Sequence, residues 1–174
     1  TDKTYYPMDN TRDDGYADDL SKLTDGVKGS IYGGGTARYS GWFAETVDIV
    51  LDVGTTSDYN TFSVYAAANA DWGIIAPSGL TVSVSDTLNG TYKQVASTTT
   101  VTAVETDSTT GWTTYLITVT VKPIERVAKS TSTVFDGTYN NRFVKLEIAS
   151  GGEEANHIWL DEVEVAYVEL EEDD

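Results

Sequence analysis

Two stretches of this chain carry groups that could hold a hard cation: Lys22-Leu23-Thr24-Asp25-Gly26 and, near the far end, Asp161-Glu162. Asp-Gly makes a turn because glycine accepts positive φ and aspartate bonds its own backbone. Such a turn offers several carbonyls and one carboxylate, the donor set that calcium prefers. An Asp-Gly turn that binds nothing is the plain alternative. A second chemistry is sugar recognition. Trp72 lies in a loop with Asn69, Asp71 and Gly73, so a flat ring and hydrogen-bonding groups occur together. A sugar stacks its C–H face on such a ring while its hydroxyls need fixed donors and acceptors. The competing reading is an indole folded over the end of the core. Tyr32, Arg38 and Tyr39 surround Gly33-Gly34-Gly35 and could reach the same ligand. Trp112 follows a small turn at Asp107–Gly111 and is a weaker candidate.

Catalysis has little to work with. The chain has a single histidine, His157, and no cysteine, so Ser-His-Asp and thiolate-metal chemistry lack their parts. Paired carboxylates for glycoside hydrolysis could arise by chance among so many acids, but no motif brackets them. The expectation is a protein that is not an enzyme, with His157 in a surface or hinge role.

The elements that must position these residues are strands. Alternation of apolar and polar residues runs through Thr46–Val53, Asn60–Ala67, Leu80–Ser85, Tyr115–Val121, Phe143–Ile148 and Ile158–Val168. Tyr92–Ala96 and Thr99–Glu105 read as shorter strands, and residues 1–45 as irregular apart from a helical turn or two near Ala17–Leu23. Strands separated by Gly, Asn, Asp and Ser turns, with little helix, predict an all-β antiparallel β-sandwich. Along Trp159–Tyr167, Asp161 shares a face with Val163 and Val165, an awkward place for a charge. A bulge at Asp161-Glu162, or a cation beside it, would resolve the conflict.

At 174 residues the chain fits one domain, with residues 1–19 as lead-in and the acid-rich 169–174 as a tail or the start of a linker. The net charge is −17, from 11 Lys plus Arg against 28 Asp plus Glu. That sign disfavours nucleic acid and anionic membranes as partners and argues for a monomer. There is no apolar run of transmembrane length. Thr1 opens the chain where methionine would begin a full-length protein, so the expectation is a module of a longer, secreted or cell-surface protein.

The order of pieces resembles a discoidin-like (coagulation factor type C) domain of the galactose-binding jelly-roll fold, in particular bacterial carbohydrate-binding modules. The resemblance rests on Leu23-Thr24-Asp25-Gly26, Trp42, Val47–Gly54, Ile74–Pro77 with Leu80–Asp86 and Asn89-Gly90-Thr91-Tyr92, Arg142–Ile148 and Leu160–Val165. It covers about residues 20–167. It implies one structural calcium, held by the Lys22 carbonyl, the Asp25 carboxylate, Lys28 or Ser30, and the Glu162 carboxylate. Val27–Ser30 departs from the family's polar pattern. The resemblance also places Trp42 and Trp159 in the core and gives Arg142 a structural role. The function it implies is a non-catalytic, calcium-stabilised carbohydrate-binding module of a glycan-degrading or adhesion protein. The alternative is a structural or protein-interaction module of a multidomain surface protein.

Overall fold

The computed structural model describes residues 3–8, 20, 22–26, 39–121, 138–152 and 156–170. Ten strands follow one another: β1 (Tyr5–Pro7), β2 (Ser40–Ala44), β3 (Thr46–Asp52), β4 (Thr61–Ala68), β5 (Gly79–Ser85), β6 (Lys93–Thr98), β7 (Thr102–Thr106), β8 (Thr113–Thr120), β9 (Phe143–Ala149) and β10 (Asn156–Ala166). They form two five-stranded antiparallel sheets, ordered β1-β3-β9-β5-β6 and β2-β10-β4-β8-β7. This is the β-sandwich that the alternation predicts. β1 and β2 are additions to it, since both lie in the stretch read as irregular.

Period-two patterning explains which residues fill the space between the sheets. Val47, Ile49 and Leu51 of β3, Val82 of β5 and Leu146 and Ile148 of β9 meet Trp42, Phe62, Val64, Ile117, Ile158 and Leu160 of the second sheet in one buried cluster. Trp42 is fully buried there, as expected. Trp159 is buried too, but on the opposite, outward side of its sheet, in a separate cluster with Tyr39, Ala67 and Ile74.

The register of β10 against β4 shifts between Leu160 and Glu162. Leu160 pairs with Ala66, and Val163 with Val64, so both face the core, while Asp161 is the inserted residue. This bulge is the device that the conflict at Asp161 called for. Arg142 has the structural role expected of it, in an exposed form: its Nε and Nη2 donate to the two Asp52 carboxylate oxygens at 3.0 and 2.8 Å.

Antiparallel pairing brings specific loops to one end of the sandwich. β4 ends there at Ala68, β8 starts at Thr113, β10 at Asn156 and β5 at Gly79. The β4–β5 loop, the β7–β8 turn, the β2–β3 link and the segment after β9 therefore gather around the Trp72 end.

Candidate functional site

Trp72 is presented by a single 3₁₀ turn, Ala70–Trp72, built directly after β4. Asn69 caps it from an extended backbone, its Oδ1 accepting the Asp71 N–H at 3.2 Å. Gly73 closes it in the left-handed region at φ 71° and donates its N–H to the Ala70 carbonyl at 3.1 Å. Reciprocal bonds between the backbones of Asn69 and Ile74 seal the base of the loop. The Asn69 Nδ2 also donates to the Thr110 carbonyl at 2.9 Å, fastening the turn to the β7–β8 loop.

That second loop has its own bracing. One Asp107 carboxylate oxygen accepts the Thr109 N–H and the other the Thr110 hydroxyl, each at 2.9 Å. These bonds hold the Asp107 carboxyl below its ordinary range. Gly111 stands at φ 82°, where a Cβ would come within 3.3 Å of Asn69 Oδ1 and 3.5 Å of Asp71 Oδ2. Glycine thus serves both the backbone conformation and the close approach of the loops.

The outcome is a rigid turn with 71% of the Trp72 surface in solvent. Such exposure of an indole is the opposite of an indole folded over the core. Asp71 beside it is exposed as well. Asn69, by contrast, is 1% exposed, with its amide spent on the two loops, so it holds the turn rather than facing a ligand. Tyr39 is buried at 1% and packs on Trp159 at a centroid distance of 6.0 Å, beneath the surface. Its hydroxyl is pushed well above the usual range by burial, with Asp161 and Glu105 adding to the effect. Trp112 is half-buried and lies 5.1 Å from Trp159, continuing the same aromatic row. Tyr32 and Arg38 lie outside the described residues.

Two residues at this end escaped the sequence reading. Phe43 is 48% exposed and meets His157 edge-on at 4.9 Å. Its signal was the strand alternation itself, since an inward Trp42 requires an outward Phe43. Ile75 is 37% exposed on the other side of His157, to whose carbonyl it donates its N–H.

The cation-binding stretches also come together. Gly26 donates its N–H to Glu162 Oε1 at 3.0 Å, and the Leu23 carbonyl accepts the Val163 N–H at 2.8 Å. Glu162 is 2% exposed, and its Oε2 is buried without a hydrogen bond. Burial pushes this carboxyl up to about 7 against the pull of the Gly26 bond, with the charges of Asp25, Asp161 and Glu164 adding to the rise. A divalent cation in front of Glu162 Oε2 would satisfy that oxygen and offset the nearby charge of Asp25, so these residues fit calcium. Among the described residues there is no cluster of three or more His, Cys, Asp or Glu able to hold a metal, so backbone carbonyls such as that of Lys22 would have to complete the shell. Lys28 and Ser30 lie outside the described residues.

The chain matches no family model and no curated protein. Solved structures do resemble it. A structure of the Streptococcus pneumoniae β-galactosidase BgaA aligns with 97% of this chain and 93% of its own, at a TM-score of 0.53 and 8% identity. The likeness is one of fold. A chitosan-binding module from a Paenibacillus chitosanase/glucanase covers 94% of this chain and 93% of its own at TM-score 0.45 and 15% identity. A Ruminococcus gnavus GH29 fucosidase aligns at 0.46 and 11% over 85% of this chain, which spans 22% of the fucosidase's length. Among the described residues no helix is long and apolar enough to cross a membrane.

Proposed function

We propose that this protein is a non-catalytic carbohydrate-binding module of the discoidin-like type, and that its sugar stacks on Trp72. The observation that carries the proposal is the 71% exposure of an indole held on a doubly braced turn. Leaving so much aromatic surface in water has no structural benefit, and a rigid platform binds without first being ordered. Phe43 offers a second ring at the same end, and Asp71 a hydrogen-bond acceptor for a sugar hydroxyl. Contact through a few exposed groups gives weak binding per site, which gains strength when the module is tethered in a larger protein. We place it accordingly as a monomeric module of a secreted glycan-degrading or adhesion protein, stabilised by calcium between Asp25 and Glu162.

The test is a glycan array probed with the wild-type module and with Trp72→Ala. A coherent set of glycans bound by the wild type and lost in the variant supports the reading. A blank array, or hits that survive the substitution, overturns the role of Trp72 and favours a structural or protein-interaction module.

A further inference from the structure

The connection from β5 to β6, Asp86-Thr87-Leu88-Asn89-Gly90-Thr91-Tyr92, lies at the end of the sandwich away from Trp72. Ser85 holds its base: the hydroxyl donates to the Thr87 carbonyl at 2.8 Å and accepts the Thr87 N–H at 3.2 Å. The Tyr92 hydroxyl donates to the Leu88 carbonyl at 2.8 Å, and the Lys145 ammonium lies over the Tyr92 ring, 5.0 Å from its centroid. Folded this tightly, the turn has no room for a side chain at position 90. A Cβ there would collide with Thr87 Oγ1 and come within 3.0 Å of Ser85 Oγ. The fold therefore requires glycine at 90.

Glycine at 90 makes the residue before it reactive. With no Cβ in the way, the next backbone nitrogen can reach the asparagine amide with the least obstruction. Asn89 is exposed, and its side chain makes no hydrogen bond to the rest of the protein. The other described asparagines differ. Asn60 and Asn69 are buried with their amides bonded, and Asn141 and Asn156 donate to Asp86 and Ser150. Asn140 is followed by a second asparagine, whose side chain obstructs the attack. The Gly90 N–H donates to the Thr87 carbonyl at 3.2 Å, the long end of the hydrogen-bonding range, so freeing the nitrogen costs one weak bond. We propose that Asn89 is a site of spontaneous deamidation. The Gly90 nitrogen gives its proton to hydroxide and attacks Asn89 Cγ. The bond from Cγ to the side-chain nitrogen breaks, that nitrogen takes a proton from water and leaves as ammonia, and a succinimide ring closes. Water then opens the ring. Opening at the side-chain carbonyl gives aspartate, and opening at the backbone carbonyl gives isoaspartate, whose main chain is longer by one methylene. Both products add a negative charge near Asp86. The longer chain of isoaspartate also no longer fits the turn, so the Tyr92 hydroxyl loses the Leu88 carbonyl.

Ageing the full chain at mildly alkaline pH, followed by intact mass and peptide mapping, tests the idea. The expected result is the mass gain of a single amide-to-acid conversion, mapped to Asn89 before any other asparagine. It should come faster as pH rises, because the attacking nitrogen must lose its proton. Asn89→Gln should abolish the early gain, since the longer side chain would have to close a larger ring. The two products are then separated by chromatography and melted. The isoaspartate form is expected to melt about 2–4 °C below the unaged protein, the effect of one lost hydrogen bond in a chain of this size. Asn89→Asp carries the charge without the longer main chain and should melt with the wild type. No gain at Asn89 over a period in which a free peptide spanning Ser85–Lys93 converts fully, or an earlier gain at another asparagine, overturns the proposal. Either would show that the Thr87 bond holds the Gly90 nitrogen away from the amide. An isoaspartate form that melts with the unaged protein overturns the consequence drawn for the turn.

Discussion

Removing the Trp72 indole takes away surface that folding never buried. Trp72→Ala is therefore expected to change stability by no more than about 0.5 kcal/mol, while the affinity for glycan falls below detection in calorimetry. Asn69→Ala acts from beneath. It removes the cap of the 3₁₀ turn and the bond to Thr110, at a stability cost of about 1 kcal/mol. Affinity should drop along with the melting temperature, because the turn that aims the indole loosens. Glu162 supplies a prediction of a different kind. In the folded protein its carboxyl titrates near 7, against an ordinary value of 4.5. Between those values the folded state binds the extra proton, so folding gains as pH falls through about 7, and the gain is complete below the ordinary value. In chelator, thermal melts from pH 8 to pH 5 should show this gain in the wild type relative to Glu162→Gln. Parallel profiles would mean that Glu162 is not held buried in the metal-free protein.

At the level of strands and loops, alternation made β3, β4, β5, β8, β9 and β10 legible, because each sets at least three apolar or aromatic residues on one face, and β6 and β7 were legible only as shorter strands without such a face. β1 and β2 were not, for physical reasons. Tyr5–Pro7 has three residues, one of them a proline, and Ser40–Ala44 has only Trp42 and Ala44 to mark a face. The bulge in β10 was legible as a conflict: no unbroken strand can send Asp161 and Val163 to sensible sides. Which side a buried aromatic takes is harder to read, since hydrophobicity requires burial but names no partner. Trp159 thus left the core for the outward cluster with Tyr39 and Trp112. Asn69 misled in a related way, because an amide suits a sugar hydroxyl and a helix cap equally well by type. The segment after β9 offers a test of loop packing. A Cβ on Gly151 would collide with the Ala76 carbonyl oxygen and reach within 2.8 Å of Ile75 Cγ2. Gly151→Ala is expected to cost about 1–3 kcal/mol in urea unfolding. No change in midpoint would mean that the β4–β5 loop yields freely, contrary to the rigidity the site requires.

For the molecule as a whole, the Leu23–Gly26 turn joins the edge strand β1 of the first sheet to β10 of the second. Toward the first sheet, the Leu23 N–H donates to the Tyr5 hydroxyl at 3.4 Å and the Thr24 hydroxyl to the Lys3 carbonyl at 2.7 Å. Toward the second, the turn meets Val163 and Glu162 of β10. A calcium ion at Asp25 and Glu162 would thus bind the folded chain and have no comparable site once the sheets part. At a free concentration about 100 times its Kd, such an ion adds about 2.7 kcal/mol. Chelation should then lower the melting temperature by roughly 5–10 °C for a chain of this size, and calcium should restore it. Asp25→Asn and Glu162→Gln should each abolish the response. The turn meets β10 at Val163, beyond the bulge, whereas Trp72 stands near the strand's opposite end. Glycan affinity measured well below the melt should for that reason survive chelation. An unchanged melt would remove the metal from the fold. A melt that falls together with glycan affinity at low temperature would instead show that the ion shapes the binding end, and that the two halves of the sandwich are coupled.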